Sequence, residues 1–291
     1  MDTQNFINFK KKRDLGAILS DTFKFLYTEW KTFFGTILKI SIIPILIAIC
    51  AVIYYGMSSV SLLGDFSQIA DLQGSFNFSD FLLPLLAFFF SYLVAYALIT
   101  VSALAYIKSY IENKGVVNYE EIQNATKDKF WPYVGLFFLN GIIIFFGLLF
   151  CFLPGIYFGV VLSLSICLLI FQNKSVTEAI NDSFGFIKEH WWETFGVIII
   201  VQLVIGLISF MIDLPASLYQ AADIVSILQG GGSNEILNSF SDPIYLMLIA
   251  FSYFIKFILY MVATVATVFI YYDIKEQKDP STEIIDEIGL E

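Results

Sequence analysis

The stretch that decides the fold runs from Phe130 to Asn173 and reads FWPYVGLFFLNGIIIFFGLLFCFLPGIYFGVVLSLSICLLIFQN. Its 44 residues carry no charge, and Lys129 and Lys174 bound it. A helix rises about 1.5 Å per residue and a hydrocarbon core is roughly 30 Å thick, so the stretch is long enough for two crossings. The segment 153–155, Leu-Pro-Gly, supplies the turn between them, because proline interrupts a helix and glycine tolerates positive φ.

Four further apolar stretches are long enough to cross a bilayer. The composition agrees, since 58% hydrophobic and 14% charged residues do not describe a water-soluble surface. We expect an all-α polytopic integral membrane protein with six transmembrane helices, whose two ends share one side because the number is even. The predicted spans are 33–55, 81–107, 131–151, 156–172, 194–212 and 243–272.

Positive charge indicates the side on which the chain ends lie. Of the 16 Lys and Arg residues, 14 fall in the N-terminal segment, the loops 108–130 and 173–193, and the C-terminal tail. Because these residues favour the cytoplasm, we expect both termini inside, N-in/C-in, in a cytoplasmic (inner) membrane. The net charge of −10 argues against a nucleic-acid partner, since no basic face exists to neutralise phosphates.

The sequence repeats itself at an offset of 161 residues, where Asp21, Phe23, Trp30 and Gly35 recur as Asp182, Phe184, Trp191 and Gly196. Each copy begins with an amphipathic segment that we expect to lie flat on the inner membrane surface, and a weaker third copy fills the middle. This predicts three parallel units, each a surface helix followed by a transmembrane hairpin. The predicted parts are a basic segment 1–14; unit 1 over 15–115, with outer loop 56–80; unit 2 over 116–172; unit 3 over 173–272, with outer loop 213–242; and an acidic tail 273–291.

Local signals predict where several of these helices begin and end. Asp14 is the expected N-cap of the first surface helix, and Ser175 with Glu178 has capping-box spacing before the other. In the outer loops, residues 60–73 and 216–229 have the pattern of short amphipathic helices.

Residues 153–192 contain a motif that resembles a known group of membrane proteins. The motif is the run 153–157, Leu-Pro-Gly-Ile-Tyr, followed by Glu178, Ala179, Ile180, Ser183 and Trp192. These residues resemble the six-helix membrane domain that precedes the hydrolase in some bacterial glycerophosphoryl diester phosphodiesterases, and stand-alone proteins of that group. The resemblance covers roughly residues 13–272 and implies the six-helix fold. Since we expect no hydrolase in this chain, no catalytic residue is transferred.

Lys256 is the strongest candidate for a functional residue. It lies near the middle of the last predicted span, where a lysine costs about 2.5 to 3.5 kcal/mol on insertion scales. Ser252, Lys256, Tyr260 and Thr264 share one helix face, and we expect them to line a polar cavity for a lipid headgroup or anionic solute. The alternative is that Lys256 snorkels or is satisfied inside the bundle. Further candidates for the cavity are Tyr96, Thr100, Asn140 and Gln202.

Two other patterns have simpler interpretations. Gly155, Gly159 and Ser163 repeat at four-residue spacing, which predicts close packing against a neighbouring helix. The basic run Lys10–Arg13 suits anionic lipid headgroups, but fixing the orientation of the chain explains it alone and is the favoured interpretation.

No reaction chemistry is recognisable. The single histidine and three cysteines lack metal-ligand spacing, and the predicted spans hold no pair of acids for hydrolysis. We expect no catalytic residue, metal or cofactor. The sequence favours a non-enzymatic protein that organises or binds membrane lipids or partner membrane proteins. The alternative is a small transporter or channel with a polar pathway around Lys256; the oligomeric state stays open.

Overall fold

A computed structural model of the chain describes residues 6–70, 78–150, 152–228 and 242–279. In these ranges the regular structure is entirely helical. The helices are α1 (Leu15–Ala70), α2 (Phe78–Glu112), α3 (Tyr119–Phe150), α4 (Phe152–Ser163), α5 (Ser165–Phe171), α6 (Val176–Ile187), α7 (Trp191–Leu228) and α8 (Pro243–Lys278). Residues 1–5, Cys151, most of the acidic tail, and residues 71–77 and 229–241 of the two predicted outer loops lie outside the described residues.

Six stretches of these helices are long and apolar enough to cross a membrane, which confirms the all-α polytopic membrane class. They are Leu15–Ser59, Ser79–Glu112, Tyr119–Phe150, Phe152–Phe171, Trp191–Ala221 and Pro243–Lys278. The fourth combines α4 and α5. Many large apolar side chains of α3 and α7 are exposed, as expected of helix faces that contact lipid.

Several helices are longer than the spans that the sequence predicts. One helix, α1, contains the first predicted surface helix, the first predicted span and residues 60–70 of the helix predicted at 60–73, and it continues through Pro44. Residues 71–73 lie outside the described residues. Likewise, α7 continues through Pro215 to Leu228, so the segment 216–228 extends that helix. Hydropathy locates the residues that prefer lipid, whereas a helix ends where its backbone hydrogen bonds end, and the two boundaries differ here.

The predicted helix starts are confirmed. Asp14 accepts a hydrogen bond from the backbone N–H of Ala17 at 2.7 Å. Ser175 and Glu178 form a capping box, in which Glu178 accepts from the Ser175 N–H at 2.9 Å and Ser175 accepts from the Glu178 N–H. The hydrogen bond that the Glu178 carboxylate accepts from the Ser175 N–H is the largest cause of the lowered pKa of Glu178. The helix α6 is separate from α7, whereas the first predicted surface helix is continuous with the span that follows it in α1.

The chain divides into two compact units, here called body A (Met1–Ile40, Ala97–Val204 and Tyr260–Glu291) and body B (Ser41–Tyr96 and Ile205–Leu259). An aromatic cluster fills part of body A, where Phe9 stacks on Phe269 with ring centroids 4.3 Å apart and packs edge-on against Phe25.

Arg13 ties the N-terminal segment into body A. Its side chain is 1% exposed and donates to a carboxylate oxygen of Asp21 at 2.8 Å and to the carbonyl of Phe9 at 2.7 Å. Its backbone N–H donates to Asp273 at 2.7 Å, and its guanidinium lies 4.8 Å from the ring centroid of Phe269. The interpretation of Arg13 as part of a basic run for lipid headgroups is therefore wrong, because its donors are satisfied inside the protein.

The α3–α4 hairpin is packed closely at glycines. The Cα of Gly155 lies 3.1 Å from the position that a Cβ on Gly147 would occupy, and a Cβ on Gly155 would lie 2.9 Å from the backbone nitrogen of Leu148. Gly155 thus permits the close approach that the sequence predicts. A Cβ on Gly159 would have no neighbour within 4 Å, and Ser163 bonds its own helix at the carbonyl of Val160, so Gly159 does not serve close packing.

Body B is held together by aromatic and polar contacts between helices. Tyr92 of α2 packs against Phe257 of α8, with ring centroids 5.4 Å apart. Asp242 precedes α8 and accepts hydrogen bonds from the Tyr219 hydroxyl and from the Ile244 N–H, the latter at 2.7 Å. The two bonds lower the pKa of Asp242, the tyrosine contributing most. The end of α7 is thereby linked to the start of α8.

Candidate functional site

Lys256 forms an ion pair within the helices of body B. Its ammonium lies 2.9 Å from a carboxylate oxygen of Asp213 on α7. The Ser252 hydroxyl, one turn before Lys256 on α8, donates to the same oxygen. The ring of Tyr253 lies beneath the ammonium, whose distance to the ring centroid is 4.7 Å. The carboxylate therefore has two donors from α8, and the ammonium has an anionic and an aromatic partner.

The ion pair borders a cavity of about 370 Å³. Residues from α1, α7 and α8 line this cavity, which mixes hydroxyl, amide and charged groups with small apolar side chains. Both charged side chains keep part of their surface exposed, 29% for Lys256 and 37% for Asp213. A molecule in the cavity can therefore reach both charges. The lining residues are Val52, Tyr55, Gly56, Asp213, Ala216, Ser217, Gln220, Tyr245, Ile249, Ser252, Tyr253 and Lys256.

Sequence reasoning missed Asp213. The residue follows directly after the predicted span 194–212 and was therefore placed in the outer loop. In the structure α7 continues past it, so the carboxylate belongs to a helix that faces α8. One weak signal in the sequence pointed to this position, since no helix breaker separates Asp213 from the predicted span. Pro215, two residues later, obscured that signal because proline often ends a helix.

The predicted offset of 161 residues gives the ion pair a counterpart without charge. Asp213 corresponds to Val52 and Lys256 to Ala95. Val52 lines the same cavity as Asp213. In the predicted repeat, the charged pair therefore belongs to the last copy alone, and the helix of the first copy supplies an apolar wall.

Other predicted site residues belong to body A and do not line the cavity. The Thr100 hydroxyl bonds the Tyr260 hydroxyl at 3.1 Å, and Thr264 donates to the backbone carbonyl of Tyr260 at 3.0 Å. Tyr133 reaches Thr100 at 3.5 Å. The hydroxyls of Thr100, Tyr133 and Tyr260 bond one another between helices, and Thr264 bonds its own helix, so their polarity is explained by packing.

The remaining candidates are also separate from the cavity. Tyr96 lies in body B and packs against Phe257, with ring centroids 5.2 Å apart. Asn140 donates to the Ser165 hydroxyl at 2.9 Å in body A, and Gln202 is exposed. Of the eight predicted ligand or pathway residues, the cavity is lined by Lys256 and Ser252.

Among the described residues, no group of three or more His, Cys, Asp or Glu side chains has a metal-binding arrangement. No family model, curated protein sequence or solved structure matches the chain. The class of protein therefore rests on its own features: six helices that can cross a bilayer define a multi-pass membrane protein.

Proposed function

We propose that this chain is a non-enzymatic multi-pass protein of the cytoplasmic (inner) membrane that binds membrane lipid through the cavity of body B. The observation that carries the proposal is the ion pair between Lys256 and Asp213, 2.9 Å long and open to that cavity. Ionisable groups inside membrane spans are costly, and they usually mark a binding site or a pathway.

The pair favours one chemistry of ligand over others. A lone lysine would attract any anion, but Asp213 neutralises its charge, so a simple anion must compete with a carboxylate already in contact. A zwitterionic headgroup offers an anionic group to Lys256 and a cationic or hydrogen-bonding group to Asp213. Ser217, Gln220 and Tyr55 supply further donors and acceptors at the cavity wall.

The size of the cavity agrees with a headgroup ligand. Small-molecule sites are usually about 300 to 1,000 Å³, and this cavity, at about 370 Å³, is at the lower end. A headgroup fits such a volume while its acyl chains stay among the exposed apolar residues of the helices. Partner membrane proteins are the alternative to lipid at those apolar surfaces.

We also propose that the protein belongs to the stand-alone group that resembles the phosphodiesterase membrane domain, with both termini in the cytoplasm. The positive charges of the predicted inner loops support this orientation. Single cysteines at Lys114 and Asp242, in a background without native cysteines, test it with a membrane-impermeant maleimide. Labelling from outside is expected at residue 242 and not at 114, and the reverse pattern refutes the orientation.

Copurification tests the binding function. Mass spectrometry of lipids and solutes retained in mild detergent is compared between wild type, Lys256→Met and the control Lys39→Met, which removes an exposed lysine of another span. A lipid species lost from Lys256→Met and kept in the control is the expected result. Identical lipid profiles in all three proteins would refute the proposed site.

The second candidate function is transport, and the ion pair favours it too, because charged groups inside spans often line pathways. Flux of solutes, ions and fluorescent lipids across proteoliposomes distinguishes the two. Movement of a substrate that Lys256→Met abolishes and Lys39→Met preserves would favour the transporter. Lipid retention without any flux would favour the binding protein.

A further inference from the structure

A second polar cavity, of about 260 Å³, lies within body A between α2, α3 and the end of α5. It is independent of the cavity around Lys256. Its wall contains two half-buried lysines, Lys108 on α2 and Lys129 on α3. The carboxylates that share the cavity are exposed at its rim. The full lining is Val101, Ala105, Lys108, Glu112, Glu121, Ala125, Asp128, Lys129, Ile170 and Asn173.

Neither ammonium group forms an ion pair among the described residues, although Asp128 interacts electrostatically with the adjacent Lys129. Lys108 donates to the backbone carbonyl of Ile170 at 3.3 Å, and no described carboxylate lies within 4.0 Å of either ammonium. The rim carboxylate of Glu121 is instead held by the Ser109 hydroxyl at 3.0 Å. Two like charges on one cavity repel each other, and an anion between them relieves that repulsion.

The position of the two lysines along their helices matches the depth of phospholipid phosphates. Lys108 follows the predicted span 81–107, and Lys129 precedes the exposed Trp131, which opens the predicted span 131–151. Tryptophan favours the membrane–water interface, so the predicted spans place both ammonium groups at the depth of the lipid headgroups.

We propose that Lys108 and Lys129 bind the phosphate of a membrane phospholipid in the body A cavity. The exposed carboxylates at the rim determine which headgroup is preferred beyond the phosphate. Glu112, Glu121 and Asp128 repel an additional negative charge and attract an amine, so an ethanolamine headgroup is preferred over a glycerol one.

The test measures lipid binding by native mass spectrometry of the full chain in mild detergent, titrated with phosphatidylethanolamine or phosphatidylglycerol. Lys108→Gln and Lys129→Gln are each expected to weaken phosphatidylethanolamine binding about tenfold, the effect of one lost charge-assisted hydrogen bond. Lys127→Gln is the matched control, since Lys127 is exposed on the same helix outside the cavity. Lys129→Arg, which keeps the charge, is expected to retain binding.

Two further arms separate lipid from soluble phosphate and guard against misfolding. Inorganic phosphate and glycerol 3-phosphate are expected to bind far more weakly than the lipid; equal affinity would overturn the lipid assignment. Size-exclusion profiles identify any misfolded variant, and binding retained by Lys129→Arg but lost by Lys129→Gln excludes a purely structural effect. Equal affinities for Lys129→Gln, Lys127→Gln and wild type would overturn the site.

Discussion

Removing the ion pair of body B one charge at a time should cost more than removing it whole. At 2.9 Å and an effective dielectric constant of about 20, the gross attraction between Lys256 and Asp213 is about 5 to 6 kcal/mol. Desolvation offsets most of it. Because each side chain keeps about a third of its surface exposed, the net coupling lies between the values of exposed and buried pairs, at about 2 kcal/mol.

A double-mutant cycle measures this coupling. The variants are Asp213→Val, Lys256→Ala and the double change, which installs the residues found at the equivalent positions Val52 and Ala95. Each single variant leaves one uncompensated charge, and Asp213→Val also leaves the Ser252 hydroxyl without its acceptor. The double variant should therefore be more stable than the sum of the single effects predicts.

The assay is reversible unfolding by sodium dodecyl sulfate from mixed micelles, followed by tryptophan fluorescence. The free energies of unfolding of the four proteins give the coupling energy directly. A coupling below about 0.5 kcal/mol, within the range of independent sites, would show that the two charges do not stabilise each other in the membrane.

Three further predictions concern stability. Arg13→Met should lower the free energy of unfolding by about 2 to 4 kcal/mol, because Asp21 and the carbonyls that accept from Arg13 lose their donor. Lys11→Met, at an exposed position, should change the free energy of unfolding by less than about 0.5 kcal/mol. Equal losses in the two variants would contradict the structural role of Arg13. Gly155→Ala should lower the free energy of unfolding by about 1 to 3 kcal/mol, because the added Cβ would lie against a neighbouring chain segment. Gly159→Ala places its Cβ in open space and should leave the free energy of unfolding unchanged. Equal losses in the two variants would contradict the packing. The lowered pKa of Asp242 means that its hydrogen bonds stabilise the fold above the ordinary aspartate pKa and that this stabilisation is lost as pH falls through the lowered value. The stability advantage of wild type over Asp242→Asn should therefore shrink as pH falls below the ordinary aspartate pKa. A difference independent of pH would contradict this.

The candidate site was predictable only in part. Lys256 stood out because a charge inside an apolar stretch is a property of the linear sequence. Its partner did not, because Asp213 lies 43 residues away and just beyond the apolar boundary of its span. Tyr260 and Thr264 share a helix face with Lys256. The sequence does not show, however, which neighbouring helix each turn of that face contacts. In the structure the Tyr260 hydroxyl bonds Thr100 and the Thr264 hydroxyl bonds the backbone carbonyl of Tyr260, all within body A.

The amino-acid sequence alone determined the six spans, the caps at Asp14 and Ser175, and the close hairpin at Gly155. The physical reason is that hydrophobic length, capping and small-residue spacing act over a few turns of one helix. The tertiary structure alone decided where α1 and α7 end and which groups meet across the bundles. Lys256 and Asp213 form an ion pair only because the packing of α7 and α8 brings them together. In the same way, the packing of α2 and α3 places the two lysines of the second cavity on one wall.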